Sequence, residues 1–157
     1  MNDQWYFTYG SSLATDQKKN RTGFIREVKR ARLDGYRLAF NKRGSDGSGK
    51  ANIVAEPGET VWCTVFRCSP DALREMDKHE GVAGGHYSRT AVRVRGDGDE
   101  ALDAVAYVAG TAFLDNSLSP SHEYLQTILR GAREHHLPDD YISRVQAVAS
   151  QSDSADR

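Results

Sequence analysis

At 157 residues, 38% hydrophobic and 27% charged, the chain has the length and make-up of one soluble domain burying roughly two-thirds of its unfolded surface. A net charge of −1 argues against a nucleic-acid or membrane-surface partner held by bulk electrostatics. No apolar run reaches the roughly 18 residues of a membrane-spanning helix, and "MNDQWYFTYG" has neither the basic nor the apolar segment of a signal peptide, so a cytoplasmic location is expected.

In chain order, "WYFTY" is a compact aromatic strand that stops at Gly10-Ser11-Ser12, with "ATDQKK" as a possible helical start behind it. "ARLDGYRLAF" reads as a strand or a bent strand pair interrupted at Gly35, and residues 43 to 51, "RGSDGSGKA", as a mobile Gly/Ser-rich loop. "ANIVAE" and "TVWCTVFRC" are expected as two strands parted by the turn "PGE". Cys63 and Cys68, five positions apart in the second of them, point to opposite faces and are too distant for a bridge, as suits thiols in a reducing compartment.

"SPDALREMDKHE" opens a helix with Ser69 as N-cap and Pro70 at its first position. "HYSRTAVRVRG" alternates, with Thr90, Val92 and Val94 on one face, and "ALDAVAYVAG" supplies a further strand after "DGDE". "SPSHEYLQTILRGAREHHL" predicts a helix starting at Ser119-Pro120, and "PDDYISRVQAVA" a last one with Tyr141, Val145 and Val148 on one face. The pattern is α+β: one domain over residues 1–150, an antiparallel or mixed sheet curled around one core, and a disordered tail at 151–157.

Three features carry candidate chemistry: "TYGSS", "DKHEGVAGGHY" and Tyr124. By residue type alone Glu80 is an ordinary solvated carboxylate, and Gly81, Gly84 and Gly85 a turn into the next strand. A metal reading of His79, Glu80 and His86 lacks H-E-x-x-H spacing, and neighbours at a helix end seldom converge on one ion. Gly10-Ser11-Ser12 is either a tight turn or a set of N–H groups presented to an anion. It is no phosphate loop, and neither serine sits in G-x-S-x-G.

Taken in order, these segments resemble the γ-glutamylcyclotransferase family. "YFTYGSSL" is similar to that family's Y-G-S-N-L signature, and "LREMDKHEGVAGGHYSRTAVRV" to the segment bearing its catalytic glutamate. "LAFNKRGSDGSGKANIV", "GETVWCTVFRC" and "SPSHEYLQTILRGAREHHLP" occupy the matching places, so the resemblance covers roughly residues 5 to 148. It implies a small closed or nearly closed β-barrel flanked by helices, with a pocket at one mouth. It also implies Glu80 as general acid/base, the backbone of Tyr6, Thr8, Tyr9, Gly10, Ser11 and Ser12 as the holder of the glutamyl group, and Tyr124 as a hydrogen-bonding partner from the late helix. Ser12 stands where the family usually has Asn.

The implied partner is a small γ-glutamyl molecule. The reaction is an intramolecular aminolysis that closes 5-oxoproline and frees an amine. Because the nucleophile is tethered, with effective molarities of ~10⁵–10⁸ M for such closures, the resemblance implies no metal and no cofactor. The leaving amine stays open between an amino acid, a lysine side chain and a small-molecule amine. An inactive ligand-binding or interaction module on the same fold is the alternative.

Overall fold

A computed structural model describes residues 3–10 and 28–155, with the side chains of residues 151–155 left out of account. Five strands close into a barrel: β1 (Gln4–Thr8), β2 (Val28–Arg43), β3 (Gly49–Cys68), β4 (Tyr87–Gly96) and β5 (Ala101–Ala109), in the order β1-β3-β2-β4-β5. All neighbours are antiparallel except β1 and β5, which run parallel where Trp5 and Tyr6 face Ala104 and Val105. The expected α+β barrel is present, and it is mixed.

Alternation builds the walls. In β4, Val92 and Val94 are buried between exposed Ala91, Arg93 and Arg95, the period-2 pattern of a sheet with one face in a core. Two other strands are covered on both faces. Phe7 of β1 and Val61, Cys63 and Val65 of β3 enter the main core, whereas Tyr6, Phe66 and Cys68 lie on the opposite face under the first helix. That helix, α1 (Pro70–His79), contributes Ala72, Leu73 and Met76 to this second cluster. The helices α2 (His122–Glu134) and α3 (Asp139–Ala155) join the main core through Ile128, Leu129, Tyr141 and Val145. The two cysteines are thiols on opposite faces of β3, as their spacing predicts.

Several boundaries differ from the sequence reading. "PGE" does not divide two strands: β3 runs straight through it and absorbs it as an exposed bulge, and β2 bends alongside, its register jumping between Asp34 and Tyr36. Residues 43 to 51 are two strand ends, Arg43 and 49–51, around a tight turn at 44–48 rather than a loose loop. Gly44 N–H bonds Ser48 O at 2.9 Å, and Asp46 Oδ1 accepts from the Ser48 N–H and hydroxyl at 3.0 and 2.7 Å. The N-cap of α2 is Ser121, whose hydroxyl accepts from Tyr124 N–H, two residues beyond the expected start. α3 continues to Ala155, into the segment expected as a disordered tail. "ATDQKK" lies outside the described residues. Among the described residues, no helix is long and apolar enough to cross a membrane.

Candidate active site

A cavity of about 580 Å³ opens at one mouth of the barrel. The end of β1 reaches it with Tyr9 and Gly10, both on its lining. Gly10 lies close against the facing wall: a Cβ there would sit 3.2 Å from the Ala51 Cβ and 3.5 Å from the Tyr124 hydroxyl. Ala51 belongs to β3 opposite the point where the register of β2 slips between Ala39 and Lys42. Tyrosine hydroxyls engage both of its backbone polar groups. Its N–H donates to Tyr124 Oη at 2.9 Å, and its carbonyl accepts from the Tyr87 O–H at 2.8 Å. The Tyr124 ring is held from behind by Phe40, edge to face with centroids 6.4 Å apart.

Glu80 enters from α1. It is the C-cap, its N–H bonded to Met76 O at 2.9 Å, and its side chain is half-buried on the cavity wall. Gly81 follows with φ +66°, the left-handed residue that ends the helix. A side chain at that position would meet the His86 ring at 2.9 Å, so glycine is needed twice over. The turn then closes through the His86 N–H, which donates to Gly81 O at 3.1 Å.

Beneath Glu80 the last turn of α1 is anchored by Asp77. Arg89 reaches it with two nitrogens, at 2.7 and 2.6 Å, and the Tyr107 hydroxyl donates to it at 2.6 Å. Burial raises the Asp77 pKa, but these donors outweigh it and hold the carboxyl below its ordinary value. Tyr107 is pushed up, first by burial and then by that hydrogen bond to Asp77. Tyr9 donates to Tyr107 O. Its own pKa is raised by burial and then by Tyr87 and the negative charge of Glu80, which places Glu80 and the end of β1 in one electrostatic neighbourhood.

Of the residues expected at the site, Tyr6, Tyr9, Gly10, Glu80 and Tyr124 line this cavity together. Thr8 is not among the lining residues: it is buried, with its hydroxyl 3.1 Å from that of Thr64 across the β1–β3 pair. Ser11 and Ser12 lie outside the described residues. The metal reading finds no support in the geometry. The Lys42 ammonium sits 2.8 Å from His86 Nδ1, the place a cation would need, and no group of three metal-ligating side chains occurs among the described residues.

Sequence reasoning passed over Lys42, Lys50 and Tyr87 and weighed His86 only as a metal ligand; all four also line the cavity. For Lys42 alternation gave no signal: Leu38, Ala39, Phe40, Asn41 and Lys42 are all buried, and the register of β2 slips between Ala39 and Lys42.

A model of the AIG2-like family matches residues 60–145. The γ-glutamylcyclotransferase of Homo sapiens is 30% identical over 148 residues, an alignment that covers 91% of this chain and 77% of that protein. This chain belongs to the γ-glutamylcyclotransferase family. A solved structure titled γ-glutamyl cyclotransferase, also 30% identical, superposes with a TM-score of 0.85 over 92% of this chain and 87% of that one. The putative γ-glutamylcyclotransferase YkqA of Bacillus subtilis (strain 168) is 30% identical over 141 residues, covering 88% of this chain and 50% of that longer protein. The family's barrel is thus the barrel described above.

Proposed function

We infer that the protein is a γ-glutamylcyclotransferase: it converts a small γ-glutamyl compound into 5-oxoproline and a free amine. Besides family membership, the observation that carries this reading is that Glu80 and Gly10 line one cavity.

In the proposed reaction the glutamyl group lies with its head against the end of β1, and its α-ammonium first gives one proton to solvent. As the amine nitrogen bonds to the γ-carbonyl carbon, Glu80 takes a second proton from it. Glu80 returns that proton to the departing nitrogen as the old C–N bond breaks, so an amine leaves rather than an amide anion. Gly10 lacks a side chain, so an anionic oxygen of the glutamyl group can approach backbone there. Tyr124, fixed by Ala51, orients the group from the opposite wall. Tethering supplies most of the advantage, because the attacking amine and its target are parts of one molecule.

A cytoplasmic location accords with this reading. Both cysteines are buried thiols, and burial, followed by the nearby Asp3 carboxylate, lifts the Cys68 thiol to about 11, leaving it unreactive.

The test is release of 5-oxoproline from a panel of γ-glutamyl compounds by the native protein and by Glu80→Gln. The variant keeps the shape of the side chain but cannot accept the proton, so its rate falls by roughly 10²–10⁴-fold with an unchanged melting curve. Full turnover by Glu80→Gln would end the mechanism.

A further inference from the structure

Lys42 is 5% exposed, an unusual situation for an ammonium group, since buried charges are ordinarily paired with a countercharge. Among the described residues, no carboxylate forms an ion pair with it. Its amine meets His86 Nδ1 at 2.8 Å and lies near two aromatic rings, 5.3 Å from the Tyr87 centroid and 5.0 Å from that of Phe113. His86 is itself stacked on Phe113 with centroids 4.0 Å apart. The ammonium is therefore fixed in place on the cavity wall by groups none of which is a carboxylate. Burial lowers its pKa, and only the through-space effect of Glu80 works in the other direction.

Its position along the cavity says which part of a substrate it would meet. Gly10 contacts Ala51 and Tyr124; Lys42 contacts His86, Tyr87 and Phe113. The bridge Tyr124–Ala51–Tyr87 spans from one group to the other, and the turn that follows Glu80 packs Gly81 against the ring of His86, the partner of Lys42. A substrate with its glutamyl head at Gly10 and its scissile amide at Glu80 directs its leaving group toward Lys42.

We propose that Lys42, positioned by His86, is the residue that binds a carboxylate on the leaving group. This rests on the cyclotransferase reading. Charge complementarity supports it: among the described residues the lining carries Lys42 and Lys50 against the single carboxylate Glu80, whereas a γ-glutamyl amino acid carries two carboxylates and one ammonium. His86 is a positioning residue, its Nδ1 accepting from the ammonium and its ring backed by Phe113.

The experiment compares γ-glutamyl-L-alanine with its carboxamide, γ-glutamyl-L-alaninamide, and with γ-glutamyl isopropylamide, using native protein, Lys42→Met and Lys42→Arg. Native protein prefers the carboxylate substrate in kcat/KM by roughly tenfold to a hundredfold, the value of one charge-assisted hydrogen bond. Lys42→Met closes that gap, losing far more on the dipeptide than on the two neutral compounds, and Lys42→Arg restores part of it. Equal losses on all three substrates would overturn the proposal, by showing that Lys42 serves the glutamyl head or the fold. Equal kcat/KM on all three by the native protein would overturn it too, while leaving the cyclotransferase reading intact. No 5-oxoproline from any compound would instead end that underlying reading, and this assignment with it.

Discussion

The two tyrosines that hold Ala51 give the site its firmest wall, and removing either hydroxyl leaves a buried backbone group short of a partner. Tyr124→Phe orphans an N–H and Tyr87→Phe a carbonyl, at a cost of about 1–3 kcal/mol each. Tyr124→Phe is expected to lower kcat/KM roughly tenfold and to show its stability loss in urea melts. A rate loss as large as that of Glu80→Gln would give Tyr124 more than an orienting role. Asp77 adds a pH dependence. Its folded pKa is depressed, so the stabilisation from Arg89 and Tyr107 is present above the unfolded value of ~3.9 and is lost as pH falls through the folded one. The melting temperature of native protein should therefore fall below about pH 4, and more steeply than that of Asp77→Asn, for which the profile flattens.

At this scale sequence patterns marked Glu80 and Gly10 because both sit in recognisable strings. They also named Thr8, whose hydroxyl lies beside that of Thr64, since a residue adjacent to a site in the chain can still point its side chain at a neighbouring strand. Lys42 escaped, and His86 was weighed only as a metal ligand, because their meaning comes from each other, 44 positions apart.

Among the elements, α1 is the one on which Glu80 depends. Its N-cap Ser69 hydroxyl accepts from Ala72 N–H at 3.1 Å, and Ser69→Ala should cost about 1 kcal/mol, a drop of roughly 2–4 °C in melting temperature. Gly81→Ala is the sharper probe. An L-residue at this left-handed φ costs about 1–2 kcal/mol, and the new methyl would press on the His86 ring. The variant should be destabilised by at least that amount and slowed in turnover, because the turn that presents Glu80 shifts. Unchanged kinetics would mean that the turn does not position the glutamate. The cap of α1 was legible because Ser-Pro is a local signal. The continuity of β3 was not, since "PGE" makes a turn in isolation and becomes a bulge only beside a partner strand that bends with it.

For the molecule as a whole, the barrel is two long hairpins joined by narrow seams. β2 and β3 pair along most of their length, as do β4 and β5, whereas β2 meets β4 through Ala31–Gly96 and Arg32–Arg95, and β1 meets β5 through Trp5–Ala104 and Tyr6–Val105. Native-state hydrogen exchange should find amides at these seams exchanging faster than those within the β2–β3 and β4–β5 hairpins, because opening a seam breaks few bonds. Uniform protection around the ring would contradict this division. Closure itself was expected from the family resemblance, but the parallel β1–β5 contact was not, because no local pattern encodes a pairing about a hundred residues long.

The cavity is lined by residues from position 6 to position 127. During synthesis, a ribosome must therefore have released the chain through α2 before that last wall can dock. A nascent or prematurely terminated product ending ahead of Tyr124 has no complete site, so a γ-glutamyl substrate meets a finished pocket only after α2 has emerged.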